Sequence, residues 1–384
     1  MTTPFERRTR AAQAALAADG SDAGDRPASR AGDVLVCFPS HNLFYLSGFA
    51  EEPGERHLLF FLPRDGDPTF LVPDLYEEQV RAVSWVDDVR TWGDDEDPLA
   101  ALTAVASDLD LPPSPRVLVD DTMWARFTHD LRAALPDATF GLASDVLSDL
   151  RVRKDGAELD ALRRAAAAAD EAMDAVRETG ADAVGMTERE LAREIERTLV
   201  EAGGDGVSFE TIVASGPNGA MPHHRCGDRR IRAGDPVVLD FGTRVDGYPS
   251  DQTRTVVFDG DPPSTFEEVH AVVREAQAAG VAAVEPGVTA ASVDRAARDV
   301  IDEAGYGDRF VHRTGHGVGL DVHEEPYVVA GNDRELAEGM VFSVEPGVYL
   351  PGEFGVRVED LVVVTADGCE RLNRTDRGWE VSRA

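Results

Sequence analysis

Nine histidines occur in this chain, and five of them (His223, His224, His312, His316 and His323) lie in its C-terminal part beside apolar runs. Acidic residues total 72, so a lone Asp or Glu carries no information and placement must discriminate. In Val237-Val238-Leu239-Asp240-Phe241-Gly242 a carboxylate ends an apolar strand, where burial is expected. A buried charge costs several kcal/mol or more unless it finds a partner or a metal. The chain then turns at Asp246-Gly247 and returns through Ser250-Asp251-Gln252-Thr253-Arg254. A two-residue hairpin turn there sets Asp240 opposite Thr253 and makes Asp251 its diagonal neighbour. Taken alone, this is equally a solvated hairpin in an acidic chain.

Three further segments carry the same kind of residue. His312-Arg313-Thr314-Gly315-His316-Gly317-Val318-Gly319-Leu320-Asp321-Val322-His323 holds three histidines among glycines. Its Gly-x-Gly-x-Gly lacks a following helix and a βαβ context, so it is no phosphate loop. The glycines flanking His316 are expected to let the backbone crowd something bound. Met340 to Tyr349 contains Glu345, again at the end of an apolar strand. In Val356-Arg357-Val358-Glu359, alternation puts Arg357 and Glu359 on one face. Each glutamate alone reads as a strand-end charge. Together Asp240, Asp251, His316, Glu345 and Glu359 offer four carboxylates and one imidazole. Oxygen-rich ligation suits hard divalent ions, Mn²⁺ first, with Co²⁺, Fe²⁺ or Zn²⁺ as alternatives. Four negative charges balance two such ions. A two-metal site can hold a bridging water as hydroxide and polarise a carbonyl.

These residues need elements to hold them. Residues 4–18 read as a helix and 19–32 as a polar loop. Strands are expected at 34–38, 42–49, 57–62, 69–72 and 116–119, with helices around 74–83, 98–109 and 122–135. That alternation gives an N-terminal α/β domain over 1–150. From 151 the texture changes. A long helix is expected from Ala157 to about Glu178, with Leu159, Leu162, Ala166, Ala169 and Met173 on one stripe. Another is expected at 187–202, with Thr187 and Glu190 as a capping box. Strands follow near 207–214, 236–242 and 252–258, then helices at 264–284 and 289–304. Strands and turns fill 310–323, 340–350 and 355–365, completing a second domain over 151–384. The fold class is α+β.

At this point the sequence resembles the pita-bread metallopeptidases, the family of Xaa-Pro aminopeptidase, Xaa-Pro dipeptidase (prolidase), methionine aminopeptidase and creatinase. The motifs V-L-D-F-G, S-D-Q-T-R-T, H-R-T-G-H-G-V-G-L-D-V-H, S-V-E-P-G-V-Y and V-R-V-E-D carry the resemblance over roughly 150–375. Asn42-Leu43-Phe44-Tyr45-Leu46-Ser47-Gly48-Phe49, the run Arg151-Val152-Arg153-Lys154 and Glu158 extend it to the creatinase- and prolidase-like two-domain branch. Residues 19–32 look longer and more polar than the family's usual link.

The resemblance implies a C-terminal pita-bread catalytic domain and a smaller N-terminal α/β domain. It implies a dinuclear exopeptidase acting on Xaa-Pro bonds through a metal-bridging hydroxide. Asp240 and Asp251 would hold one metal, with Asp251 bridging; His316 would complete the other shell. Glu359 would bridge both ions, and Glu345 would ligate and shuttle a proton. His223 matches a histidine that steadies the intermediate or the leaving nitrogen, and His323 one that contacts the substrate carbonyl. His312, Arg357 and Tyr349 match supporting or substrate-binding positions; His224 is read as structural. The partner would be a proline-containing peptide, and the assembly a homodimer. Proline offers no N–H at the scissile nitrogen, so nucleophile and carbonyl polarisation must come from elsewhere. The alternatives left open are dipeptidase against aminopeptidase, and a metal-dependent hydrolase or lyase of a small compatible solute on the same scaffold, ectoine-hydrolase-like, dimethylsulfoniopropionate-lyase-like or creatinase-like.

Composition bounds the setting. With 38 Lys+Arg against 72 Asp+Glu the formal charge is −34. No basic surplus exists to release counterions from a nucleic acid or to dock on an anionic membrane. Lys154 is the one lysine; every other fixed cation is arginine. With 42% hydrophobic residues the chain is expected to fold rather than stay disordered, under an acidic surface suited to concentrated salt. Three widely spaced cysteines, no apolar run of membrane length and no signal-peptide core point to a reduced cytoplasmic setting.

Overall fold

The structure is a computed structural model describing residues 2–18 and 31–381. Of the expected polar loop at 19–32, all but residues 31 and 32 lie outside the described residues. The chain divides into two compact units, Met1–Arg151 and Val152–Ala384.

The first unit is built on a six-stranded mixed sheet. Its spatial order is Asp88–Trp92, Thr69–Pro73, Leu59–Pro63, Val34–Cys37, Arg116–Val119, Thr139–Leu142. The central strand runs antiparallel to Leu59–Pro63 and parallel to Arg116–Val119. Val34, Val36, Phe61 and Leu71 face Leu102, Val105, Phe127 and Leu131 from the helices Pro98–Asp108 and Ala125–Ala134. One expectation fails here. Residues 42–49 are not a strand but the helix His41–Ser47. The Ser40 hydroxyl caps it by accepting from the Leu43 N–H at 3.1 Å. Gly48, in the left-handed region at φ 79°, closes it by donating to the Phe44 carbonyl. Leu43 and Leu46 are buried at helical, not alternating, spacing. The strands Asp88–Trp92 and Thr139–Leu142 and the helix Ser144–Arg151 were not foreseen, because charged or exposed residues interrupt their apolar pattern.

The second unit joins antiparallel sheets to four long helices. Three strands run in the order Gln252–Val256, Val237–Phe241, Ile212–Ser215. Five run in the order Glu324–Val328, Gly315–Gly317, Val341–Val344, Asp360–Thr365, Gly368–Arg371. A two-stranded ribbon pairs Gly347–Leu350 with Phe354–Arg357. The helix Gly156–Thr179 starts at a capping box of Asp155 and Glu158, and Glu188–Glu201 at one of Thr187 and Glu190. Their buried stripe, with Ala169, Met173, Leu191 and Ile195, packs on Val237, Leu239 and Phe241. The helices Phe266–Ala282 and Ala290–Glu303 cover the other strands. Val273 and Ile301 meet Val348 and Val356, while Val293 meets Phe342 and Val344. Apolar side chains thus occupy one face of each strand pair. The opposite positions are left for the polar groups described next.

Candidate metal centre

Hairpin register decides where the first two carboxylates stand. Asp246 and Gly247 both adopt positive φ, 51° and 84°, as a two-residue primed turn requires. Asp240 pairs with Thr253, as the turn predicts. At Gly242 a Cβ would lie 1.8 Å from the Ser250 carbonyl oxygen, so glycine is needed where the hairpin pinches in front of Asp251. Asp251 immediately precedes the returning strand Gln252–Val256.

His316 is the middle residue of the short strand Gly315–Gly317. Its flanking glycines are required by the strand contacts on either side. A Cβ on Gly315 would lie 1.8 Å from the Ser343 carbonyl oxygen, and one on Gly317 2.1 Å from that of Glu325. The glycines press this strand between its two neighbours and so fix the depth of the imidazole. Glu345 follows the strand Val341–Val344, held by its own N–H on the Thr314 carbonyl at 2.8 Å. Glu359 sits between Phe354–Arg357 and Asp360–Thr365, with its N–H on the Thr253 carbonyl at 3.1 Å.

Asp240, Asp251, His316, Glu345 and Glu359 line one cavity of about 310 Å³, together with His223, His312, His323 and Arg357. Donor atoms of Asp251, His316 and Glu359 all lie within 4.8 Å of one another. His316 Nε2 is 3.3 Å from Glu345 Oε1 and 3.7 Å from Asp251 Oδ2. Burial raises the Asp240 carboxyl and pushes those of Asp251 and Glu359 well above their ordinary values; repulsion between carboxylates adds to it, and Arg357 opposes it. Burial opposes the Glu345 charge too, but its hydrogen bond to His316 and that ring's charge outweigh it and hold Glu345 at about 2. Burial thus opposes charging Asp240, Asp251 and Glu359 together, and added positive charge would relieve it. Asp240 Oδ1 and Glu359 Oε1 are buried and lack any hydrogen-bond partner. Unpartnered buried carboxylate oxygens beside an imidazole fit divalent cations, whose charge answers both deficits.

A buried chain braces this set. Arg357 donates from Nη2 to Asp240 Oδ2 at 2.6 Å, from Nε to Thr253 Oγ1 at 3.1 Å and from Nη1 to the Tyr349 hydroxyl at 2.8 Å. The bond to Asp240 engages Oδ2 and leaves Oδ1 without a hydrogen-bond partner. His312 Nδ1 lies 2.7 Å from the Arg313 carbonyl and so carries the proton, leaving Nε2 to accept from the Tyr349 hydroxyl at 2.8 Å. Burial lowers the His312 pKa and raises that of Tyr349 to about 12, which keeps both neutral. Tyr349 thus stands behind Arg357 rather than on the cavity wall. His323 lies 4.1 Å from His316, ring centre to ring centre. Partial burial, then His316 and Arg313, lower its pKa to about 4. His223 and His224 both line the cavity, and His224 Nε2 lies 2.8 Å from Glu188 Oε2.

Four supporting residues escaped the sequence reading. Thr253 donates to Glu359 Oε2 at 2.6 Å while accepting from Arg357. The Ser343 hydroxyl accepts from the His316 N–H and donates to Glu345 Oε1 at 3.2 Å. Glu188 is fully buried and gathers the loop that bears His223: it accepts from the Ser215 N–H and hydroxyl, the Asn218 amide and the Gly227 N–H. Asp294 accepts from the Thr314 hydroxyl at 2.7 Å and steadies the His312–His316 segment from its helix. Thr253 and Ser343 alternate correctly with named ligands, so strand parity could have found them. Glu188 and Asp294 come from remote helices and leave no local signal.

Residues 160–366 match metallopeptidase family M24, and residues 26–153 match the creatinase/prolidase N-terminal domain. The chain is 38% identical to a Xaa-Pro dipeptidase of Lactobacillus helveticus over 353 residues, which is 91% of this chain and 95% of that one. Its fold superposes on a prolidase from Thermococcus sibiricus with a TM-score of 0.91 at 38% identity, covering 99% and 100% of the two chains. On the dipeptidase PepE from Mycobacterium ulcerans the TM-score is 0.86 at 42% identity, over 98% and 97%. The strand-end carboxylates and the motif match agree on one conclusion: the chain belongs to metallopeptidase family M24, a pita-bread enzyme with a creatinase/prolidase-type N-terminal domain.

Proposed function

We propose that the enzyme is a Xaa-Pro dipeptidase, hydrolysing the bond before a C-terminal proline. One observation carries this reading: four carboxylates and His316, in or beside separate strands, converge in one cavity with two buried carboxylate oxygens left without partners. The Xaa-Pro dipeptidase and prolidase relatives support the substrate class. Asp240, Asp251, His316, Glu345 and Glu359 would hold two divalent ions, Mn²⁺ in our reading. When bound, these supply Lewis acidity that lowers the pKa of a water and polarises a carbonyl.

The chain's own residues supply the rest. Glu345, beside His316, would be the group that accepts and passes on a proton. His223, on the loop gathered by Glu188, stands ready to donate to the tertiary leaving nitrogen. His323 is neutral at pH 7 and donates a hydrogen bond to the substrate carbonyl without adding charge. Arg357, fixed by Tyr349 and Thr253, holds Asp240 in orientation. The compatible-solute alternative finds no support among the relatives named above. A homodimer in a salt-rich cytoplasm completes the proposal; sedimentation in molar KCl checks the assembly.

The decisive assay supplies Mn²⁺ in molar KCl and compares a Xaa-Pro dipeptide with a Xaa-Pro-Xaa tripeptide. Free proline from the dipeptide alone is expected. Trimming of the tripeptide would reassign the enzyme as an aminopeptidase, and turnover of neither by metal-loaded protein would remove the reading.

A further inference from the structure

Among 38 lysine and arginine residues, lysine stands at one position only, Lys154. A chain that writes arginine everywhere else keeps an ammonium where a guanidinium will not serve. The structure shows a physical reason. The Lys154 side chain is 1% exposed, and its Nζ lies 2.7 Å from Glu324 Oε1 and 3.3 Å from the Val152 carbonyl. Its backbone is equally confined: the N–H donates to the Gly339 carbonyl at 2.8 Å, and a Cβ on Gly339 would lie 3.0 Å from the Lys154 carbonyl. A compact ammonium with three donors matches two acceptors in that buried place better than a broad planar fork with five.

Glu324 is what this ammonium holds. It follows His323 directly and pairs with Gly317 across two strands, so it closes the turn that separates His316 from His323. Its carboxylate lies against Gly319 within that turn, where a Cβ would come 2.2 Å from Oε1 and 2.6 Å from Cδ. The carboxylate therefore fills the floor of the turn, and Lys154 is one of the contacts that hold it there.

We propose that Lys154 is a positioning residue for the reaction: through Glu324 it fixes the Gly317–His323 turn and thereby the His323 ring against His316. The inference rests on the Xaa-Pro reading for its kinetics but not for its geometry. Lys154→Met, Lys154→Arg and Glu324→Gln should each lower kcat per folded, Mn²⁺-loaded molecule about tenfold or more. KM for the dipeptide should stay within about threefold, since the loss falls on the transition state. The Lys154→Met/Glu324→Gln double variant should be no worse than the poorer single one, because both break one contact. A purely structural pair would lower the melting temperature and leave kcat per folded molecule unchanged. The second arm needs no substrate. The His323 ring signal in the NMR spectrum, identified by its loss in His323→Gln, should move in both Lys154→Met and Glu324→Gln. Wild-type kcat in Lys154→Arg, multiplicative single effects, or an unmoved His323 signal would overturn the proposal. A wild-type enzyme inert to Xaa-Pro, with the His323 signal moving as expected, would refute the substrate reading and leave this one standing.

Discussion

At the scale of single residues, the centre is a problem in charge. Burial, with repulsion from neighbouring carboxylates, raises the Asp251 carboxyl well above its ordinary value. Asp251→Asn keeps the side chain's shape and removes the charge that burial opposes. The cation-free variant should therefore melt within a degree or so of the wild type, while peptidase activity falls to background. Added Mn²⁺ should raise the wild-type melting temperature and raise that of the variant much less. Retained turnover in Asp251→Asn would refute its assignment as a ligand. Tyr349 makes a different prediction, because it touches no cavity wall. Its hydroxyl receives Arg357 Nη1 and serves His312 Nε2, both at 2.8 Å. Tyr349→Phe leaves two buried groups unpaired and frees the arginine that orients Asp240. Metal affinity or kcat should drop about 10–100-fold, the range found when outer partners of ligands are removed. Isothermal titration with Mn²⁺ and steady-state kinetics separate the two effects. Asp240, Glu345 and Glu359 stand out in the sequence because each ends or interrupts an apolar strand, Asp251 because the hairpin sets it beside Asp240, and His316 because it lies in a run of three histidines among glycines. The bracing contacts were readable only where strand parity exposed them.

Elements explain what remained hidden. The hairpin carrying Asp240 and Asp251 was legible because Asp246-Gly247 dictates a turn, and the turn dictates register. The run 42–49 was misread as a strand because its aromatic and apolar residues suit a sheet, while Ser40 and Gly48 at its ends supply helix caps. Caps decided, not propensity. No local pattern announces the pair that ties two catalytic strands from behind. Arg254, fully buried in Gln252–Val256, donates to Asp360 Oδ1 at 2.7 Å and to the carbonyls of Thr253, Glu359, Asp376 and Thr375. Gln277 donates to the other Asp360 oxygen from its helix at 3.0 Å. Asp360→Ala leaves this guanidinium buried without its counterion, which costs about 3–5 kcal/mol. Urea unfolding measures that loss, and a change under 1 kcal/mol, about the worth of an exposed pair, would contradict it. His270, on the same helix, sets an acid limit. Burial, followed by the nearby charges of Arg274 and Arg177, lowers its pKa from 6.5 to about 4, against the opposing pull of Asp376. Between those values the unfolded chain binds a proton that the folded chain refuses. Stability is therefore intact above pH 6.5 and falls as pH drops toward 4, by on the order of 3 kcal/mol. His270→Gln should flatten that limb of the stability–pH curve; an unchanged slope would place the acid sensitivity elsewhere.

At the scale of the whole molecule, the charge of −34 separates into two populations with different physics. The carboxylates of the centre line the cavity, where screening by salt does not reach and bound cations would balance them. The larger population is on the surface. Some of it is paired, as where Arg197 bridges Glu194 at 2.9 Å and Glu201 at 2.5 Å. Exposed pairs of this kind contribute little each, and 38 cations cannot pair 72 acids. The excess must repel itself across the surface. At 0.01 M salt the screening length is about 30 Å, long enough for that repulsion to act across a domain; at 1 M it is about 3 Å, shorter than the spacing of most neighbours. The melting temperature should therefore climb steeply with KCl through the tenth-molar range and level off near 1 M. Buried pairs such as Arg254–Asp360 lie outside the reach of such screening, so Asp360→Ala should shift the whole melting curve down without changing its dependence on salt. Replacing exposed acids on the helix Glu188–Glu201 with Gln should do the reverse, raising stability at low salt and leaving it unchanged at 1 M. A melting temperature that stays flat from 0.01 to 1 M KCl would show that the acidic surface does not govern the stability of this fold.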